Sequence, residues 1–500
     1  MNYVSTRGAG ATVSAATAIR QGIAPDGGLF TPETVPSITR DQLEQLAGQS
    51  YSELAATILS RYLTDYQPAD LKWMVAKAYA VPEKFDTAAV TPVVKLQEHT
   101  YLLELWHGPT CAFKDIALQL LPYLMTKAAE LTRDSKEIVI LVATSGDTGK
   151  AALEGFKDVP GTRIIVFFPE DGVSEMQRLQ MVTQEGQNTL VVAVRGNFDD
   201  AQTGVKQVFT DPTVIEKLAD KGMSFSSANS INWGRLAPQL VYYFYGYLEL
   251  YRRGVIKLGE RLNVAVPTGN FGNILAAYLA KTMGLPLGKL ICASNANKVL
   301  TDFINTGIYN RNRPFYTTSS PSMDILISSN LERLLYYLSD RNATQVTAWM
   351  DSLKRTGHYR VDQATFSRIQ ELFYAGYADE AETLATIKAV YQDSGVVLDP
   401  HTAVGAAVVA QYLAATADQT PVLLAATASP FKFNASVLRA LAGPAAVQGH
   451  NEFELLEQLA RLVNQPVPAA LQNLKQKPVR HRTVCERDQL AVVVQQLLGL

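Results

Sequence analysis

Cysteine is scarce in this chain: Cys111, Cys292 and Cys485 are the three in 500 residues. They are too few and too scattered for a disulfide framework or a thiolate metal site, so no metal is expected. No His or acidic cluster marks Cys111 as a nucleophile, and it reads as a small packing residue. Net charge is nearly missing too, at −2, which leaves no basic field for nucleic acid or anionic lipid. Any bound anion therefore needs a local pocket. No apolar run approaches the ~20 residues required to span a bilayer. The first ten residues lack the apolar core of a secretory signal. A cytoplasmic protein with neither membrane nor nucleic-acid partner is expected. Internal repeats and low-complexity tracts are absent as well.

What is present is the balance of an ordinary globular protein, 47% hydrophobic and 18% charged. Single cores stop growing beyond roughly 250–300 residues, so two or more domains are expected. The first ninety-odd residues read as turns and helices, with a turn at Pro25-Asp26-Gly27-Gly28 and helical spacing of apolar residues from Asp41 to Leu63. From about Val93, short apolar runs alternate with amphipathic helices. The predicted strands are Ile138–Val142, Ile164–Phe168, Leu190–Val194, Val264–Val266, Leu290–Cys292 and Val422–Leu424. Such runs, bounded by Gly and Pro and separated by helical patterns, indicate parallel strands joined by crossover helices. This is an α/β protein. The expected division is an N-terminal α+β domain (1–92), a smaller α/β lobe that begins with the lysine region (93–230) and a larger α/β lobe (231–440). The larger lobe holds a mostly helical insertion at about 323–392, preceded by a long connection through Arg311–Arg313 and Thr317–Ser322. A C-terminal helical extension (441–500) follows, whose stretch from Pro466 to Arg482 packs on the surface. Ligands of such sheets sit at the carboxyl ends of strands.

Three segments at such places carry chemistry. His107-Gly108-Pro109-Thr110-Cys111-Ala112-Phe113-Lys114-Asp115 leads into an apolar helix. Burying an ammonium there depresses its pKa and makes the amine available for a Schiff base. The bland alternative is a lysine snorkelling at a helix N-terminus. Ala143-Thr144-Ser145-Gly146-Asp147-Thr148-Gly149 lies between a strand and a helix, and its hydroxyls, glycines and free amides suit a carboxylate or phosphate. It is equally readable as a capped turn. Pro267-Thr268-Gly269-Asn270-Phe271-Gly272-Asn273 is neither a Walker loop nor a full dinucleotide fingerprint. It remains a short cradle suited to a single phosphate. A candidate Schiff-base lysine, a carboxylate site and a mono-phosphate cradle together point to pyridoxal 5'-phosphate.

At these residues the sequence resembles the threonine synthase family, within the β-family (fold type II, tryptophan synthase β-like) of pyridoxal-phosphate enzymes. The resemblance runs from Tyr3–Gly8 and Ala24–Phe30 through the lysine and Ser-Gly-Asp-Thr-Gly segments to Phe168-Pro169 and Gly172-Val173-Ser174. It continues through Gly196–Asp200, Ala228–Asn232 with Arg235, the cradle, Leu398–Ala403 and Thr427–Pro430. The long N-terminal part is similar to the fungal and proteobacterial branch. The implied architecture is two lobes of parallel sheet flanked by helices, with an extra N-terminal domain.

Carried over residue by residue, the resemblance implies that Lys114 bears the cofactor and shuttles protons. Gly269, Asn270, Phe271, Gly272 and Asn273 would hold its phosphate, Thr427 its pyridine nitrogen, and Asp147 would lie near its phenolic oxygen. Ser145 and Thr148 would grip the substrate carboxylate, while Asn229, Ser230 and Arg235 would hold the substrate's phosphate. The implied activity is conversion of O-phospho-L-homoserine and water to L-threonine and phosphate, the last step of threonine biosynthesis, by a monomer or homodimer. Closing of the smaller lobe over the substrate is expected. His107 and His401 read as structural, and Asp199-Asp200 as charge at a helix N-terminus. One departure stands out: Ser429 occupies the place where many members of the branch carry His, with Phe431 after Pro430. Three other readings stay open: another lyase of this fold type releasing 2-oxobutanoate, a nicotinamide oxidoreductase, and a non-catalytic ligand-binding descendant.

Overall fold

Short apolar runs with no polar alternation, bounded by Gly and Pro, suit strands covered on both faces. In the computed structural model, which describes residues 1–500 apart from Ser145, Gly172, Asn473 and the side chain of Asp199, they form two sheets. The larger has six strands in the order Phe373–Tyr377, Leu287–Ser294, Leu262–Pro267, Val422–Ala426, Thr100–Glu104 and Val93–Gln97. All neighbours run parallel except the edge hairpin Val93–Gln97/Thr100–Glu104. The smaller has five parallel strands in the order Thr483–Glu486, Thr189–Arg195, Thr162–Pro169, Glu137–Ala143 and Met223–Ser226.

Period-two alternation divides the core. On the strand Glu137–Ala143, Ile138, Ile140 and Val142 belong to the main core, while Val139 and Leu141 face a second cluster. That second cluster includes Val205 and Val208 of the helix Phe198–Thr210 and Leu490, Val494 and Leu498 of the last helix, Leu490–Leu498. In the main core the helix Pro238–Arg252 is buried along nearly its whole length. The N-terminal elements (a two-stranded pair, Tyr3–Ser5 with Phe30–Pro32, and four helices) pack on it and its neighbours. Tyr3 sets its ring edge-on to Trp233 at 5.4 Å, and Tyr51 meets Tyr245 at 5.3 Å. No helix among the described residues is long and apolar enough to cross a membrane.

The six predicted strand runs all lie inside observed strands. The expected division differs from the structure at two places. Val93–Gln97 and Thr100–Glu104 pair with Val422–Ala426 and so belong to the larger sheet, not to the smaller lobe with 137–230. The stretch 323–392 is mostly helical, with the short strands His358–Arg360 and Phe373–Tyr377 among its helices. The C-terminal extension is not wholly helical: Thr483–Glu486 adds an edge strand beside Thr189–Arg195. A charged, short edge strand carries little hydrophobic signal.

Candidate active site

The lysine loop is closed by its own carboxylate. Asp115 accepts the Thr110 N–H at 2.8 Å and the Thr110 hydroxyl at 2.7 Å. Burial pushes the Asp115 carboxyl up to about 6. Gly108 permits the closure, because a Cβ there would stand 2.6 Å from the Cβ of Asp115. The loop then docks antiparallel on the segment after Val422–Ala426: Phe113 N–H donates to Thr427 C=O at 2.8 Å and Ser429 N–H to Cys111 C=O at 3.1 Å. Thr427 is thereby brought against the lysine segment. Cys111 is buried and its thiol is pushed up to about 12, as a packing residue should be. His107 stands between Asp86 (2.7 Å) and Glu104 (3.0 Å). Burial opposes its charge, yet the two carboxylates raise its pKa.

Lys114 opens the helix Lys114–Leu118, and its side chain is 11% exposed. Its amine donates to the Ser322 hydroxyl at 3.0 Å and lies 3.8 Å from the Asp147 carboxylate. Burial brings its pKa down to about 8, Asp147 opposes that shift, and Lys432 and Arg235 reinforce it. Ser322 is held in turn by His401, whose Nε2 accepts the Ser322 N–H at 3.2 Å. That bond requires the imidazole proton on Nδ1, where it donates to Asp399 at 2.8 Å.

Asp147 begins the helix Asp147–Phe156 and is almost fully buried. Its Oδ1 receives Lys432 at 2.8 Å and Gln177 Nε2 at 3.2 Å. Burial alone would raise its pKa, but Lys432 and Lys114 hold it well below the usual carboxylate range. Thr144 organises the loop, its hydroxyl accepting from the amides of Gly146 and Gly149, each at 3.0 Å. Thr148 is half-buried in the first helical turn, and Ser145 lies outside the described residues.

The cradle joins the strand Leu262–Pro267 to the helix Gly272–Thr282 through Phe271, which adopts φ +63°. The helix's first internal bond runs from Leu275 N–H to Phe271 C=O, so the amides of Gly272, Asn273 and Ile274 remain free for an anion. Asn330 ties the cradle down, receiving nothing from it but donating its amide and side chain to Asn270 C=O at 3.1 and 3.0 Å. The same side chain reaches Ser230 C=O at 3.1 Å, which sets the segment 229–231 beside the cradle. Asn273 Oδ1 accepts from Tyr242 at 2.8 Å and from Tyr243, leaving its buried Nδ2 without a partner. Arg235 is buried and donates to Ala228 C=O at 2.8 Å, while its Nε has no acceptor and no carboxylate pairs with it among the described residues. Burial pulls its pKa down to about 10. Asn229 is exposed at the rim, and Asp200 closes a capping box with Asn197.

The structure thus gathers Lys114, Asp147, Thr427, Ser230 and the Gly269–Asn273 cradle around one centre. Sequence reasoning missed Ser322, Asn330 and Lys432. Only Lys432 had a legible signal, a lysine between Phe431 and Phe433 directly after Pro430. The unpartnered Asn273 and Arg235 nitrogens, free helix amides and a buried amine fit a phosphorylated aldehyde cofactor and a second phosphate group.

Three family models match in succession: "Threonine synthase N terminus" over residues 2–79, "Pyridoxal-phosphate dependent enzyme" over 85–427, and "Threonine synthase, C-terminal" over 402–495. Among curated relatives, threonine synthase of Pseudomonas aeruginosa is 38% identical over 462 residues, covering 92% of this chain and 95% of the relative. Human threonine synthase-like 1 is 43% identical over 435 residues, covering 85% of this chain; the chain spans 57% of that relative's length. Among solved structures, the PLP-bound threonine synthase of Brucella melitensis superposes with a TM-score of 0.88 at 37% identity, covering 100% of this chain and 98% of that one.

Proposed function

This chain belongs to the threonine synthase family of pyridoxal-phosphate-dependent enzymes, and on that premise we propose that it converts O-phospho-L-homoserine and water to L-threonine and phosphate. The observation that carries the reading is a buried amine, Lys114, placed between the Asp147 carboxylate and the Ser322 hydroxyl, and the free amides opening Gly272–Thr282 and the carboxylate-free Arg235 are its candidate anion sites. Lys114 would bear the cofactor and Gly269–Asn273 would hold its phosphate. Asp147 would lie near the phenolic oxygen and Thr427 near the pyridine nitrogen. When bound, pyridoxal phosphate supplies the sink for the electron pair left at the substrate's Cα.

The remaining chemistry falls to the chain's own groups. Ser145 and Thr148 hold the substrate carboxylate in this reading, and Asn229, Ser230 and Arg235 hold the phosphate that leaves Cγ. Lys114, freed on substrate binding, takes the protons of Cα and Cβ and returns protons to Cγ and Cα, while water supplies the hydroxyl at Cβ and its remaining proton leaves with the released phosphate. An amine with a pKa near 8 exchanges protons in both directions at neutral pH. The uncompensated Arg235 favours a phosphorylated substrate over an unphosphorylated hydroxyamino acid.

The test incubates the protein with O-phospho-L-homoserine and assays phosphate, threonine and 2-oxobutanoate together, with Lys114→Ala alongside. Threonine should match phosphate one for one, and the variant should lose on the order of 10³-fold or more. Phosphate accompanied by 2-oxobutanoate would make the enzyme a phospho-lyase instead. The proposal includes a cytoplasmic location, in keeping with three free and buried cysteines. Monomer and homodimer are to be told apart by light scattering.

A further inference from the structure

Lys432 has no part in the proposed reaction as set out above, yet its side chain is 0% exposed at the centre of the site. It donates to Asp147 Oδ1 at 2.8 Å and to Thr110 C=O at 2.8 Å. One carboxylate therefore serves two lysines, close to Lys432 and at 3.8 Å from Lys114. We propose that Lys432 is a positioning residue of the reaction centre: by occupying Asp147, it denies Lys114 a full counter-ion and so keeps a share of the Lys114 amine unprotonated and nucleophilic near neutral pH.

The geometry favours this over a purely structural role. Anchoring the Thr110 carbonyl needs only a neutral donor, and an enclosed ammonium is costly wherever an amide would serve. The charge is useful only to something that feels it. The charged groups around Lys114 are Asp147, Lys432, Arg235 and Asp115, and the two cations push its pKa down while the carboxylates push it up. Asp147 approaches from the helix Asp147–Phe156, Lys432 from the turn Pro430–Phe433, and Arg235 from the helix Trp233–Leu236. His401 also faces Asp147. Of the two lysines, Lys114 is the more loosely held, by a hydroxyl and a distant carboxylate, so it is the one that gives up its proton.

The inference rests on Lys114 as the cofactor-bearing residue, and its test separates the two ideas. The full-length chain, freed of cofactor, is mixed with pyridoxal phosphate, and the rate of covalent capture is followed by visible absorbance across pH. Wild type should reach half its limiting rate near pH 8. Lys432→Gln, which keeps a donor but removes the charge, should move that midpoint up by about one unit or more, a tenfold slower capture at neutral pH. Lys432→Arg should restore it. Asp147→Asn should move it down by a similar amount, and this variant decides the matter if Lys432→Gln does not fold. A folded Lys432→Gln with an unmoved midpoint overturns the inference, as does an Asp147→Asn midpoint that stays or rises. Capture by Lys114→Ala at the wild-type rate would instead overturn the assignment of Lys114 itself.

Discussion

Gly269 is the residue at which the cradle and the lysine meet. An added Cβ there would lie 2.5 Å from the Ser322 carbonyl oxygen, closer than real contacts allow, and Ser322 is the hydroxyl that receives the Lys114 amine. Gly269→Ala must therefore push Ser322 away or deform the cradle. Cofactor retention should weaken about tenfold or more, measured by equilibrium dialysis, with a loss of about 1–3 kcal/mol in stability. Undiminished retention in that variant would remove the cradle from the cofactor site. Phe271 shows the same economy of space, since a non-glycine residue at φ +63° costs on the order of 1 kcal/mol and persists because Phe271 is buried against Phe373.

Among the elements, the helix Asp147–Phe156 has a polar end at the site and an ion pair on its flank. Lys150 reaches Glu154 at 3.2 Å, and Gln184 adds a hydrogen bond at 3.0 Å. Burial would raise the Glu154 pKa, but Lys150, the Gln184 hydrogen bond and Lys84 together outweigh it and the carboxyl falls to about 2. A depressed carboxylate contributes stability above its unfolded value, and that contribution disappears as pH falls toward the folded value. The loss should be on the order of 3 kcal/mol between roughly pH 4.5 and pH 2. Urea denaturation at pH 7, 4 and 3 should show this acid slope in wild type and a shallower one in Glu154→Gln. Equal slopes would mean the pair is not held in the folded state as drawn.

At the scale of the whole molecule, the C-terminal extension reaches back to the smaller sheet twice. Glu452 accepts the Met176 N–H at the start of the helix Glu175–Val182, whose Gln177 bonds Asp147. Thr483–Glu486 then covers the edge of Thr189–Arg195, and Leu490, Val494 and Leu498 seal the second core. Ending the chain after Arg482 should expose an unpaired strand edge and the apolar face beside it. Self-association in size-exclusion chromatography and a Tm lower by about 5 °C or more are expected. A monodisperse truncated protein with the wild-type Tm would show that the sheet is complete without its fifth strand.

The sequence by itself determined the α/β class, the six strand runs, and the three loops that carry Lys114, Asp147 and the glycines Gly269 and Gly272. These are local properties: apolar period, glycine and proline punctuation, and hydroxyls at a strand-to-helix turn all lie within a few residues of one another. It did not determine which sheet the hairpin Val93–Glu104 joins, or that residues 483–486 complete the other, because strand partners are chosen by packing between distant segments. Nor could it reveal that Ser322, 208 residues away, meets Lys114, or that Lys432, 322 residues away, holds the Thr110 carbonyl. What a lysine does depends on whether water or a carboxylate surrounds it. Tertiary structure alone decided that, by closing both lysines around Asp147, one paired at 2.8 Å and the other 3.8 Å away.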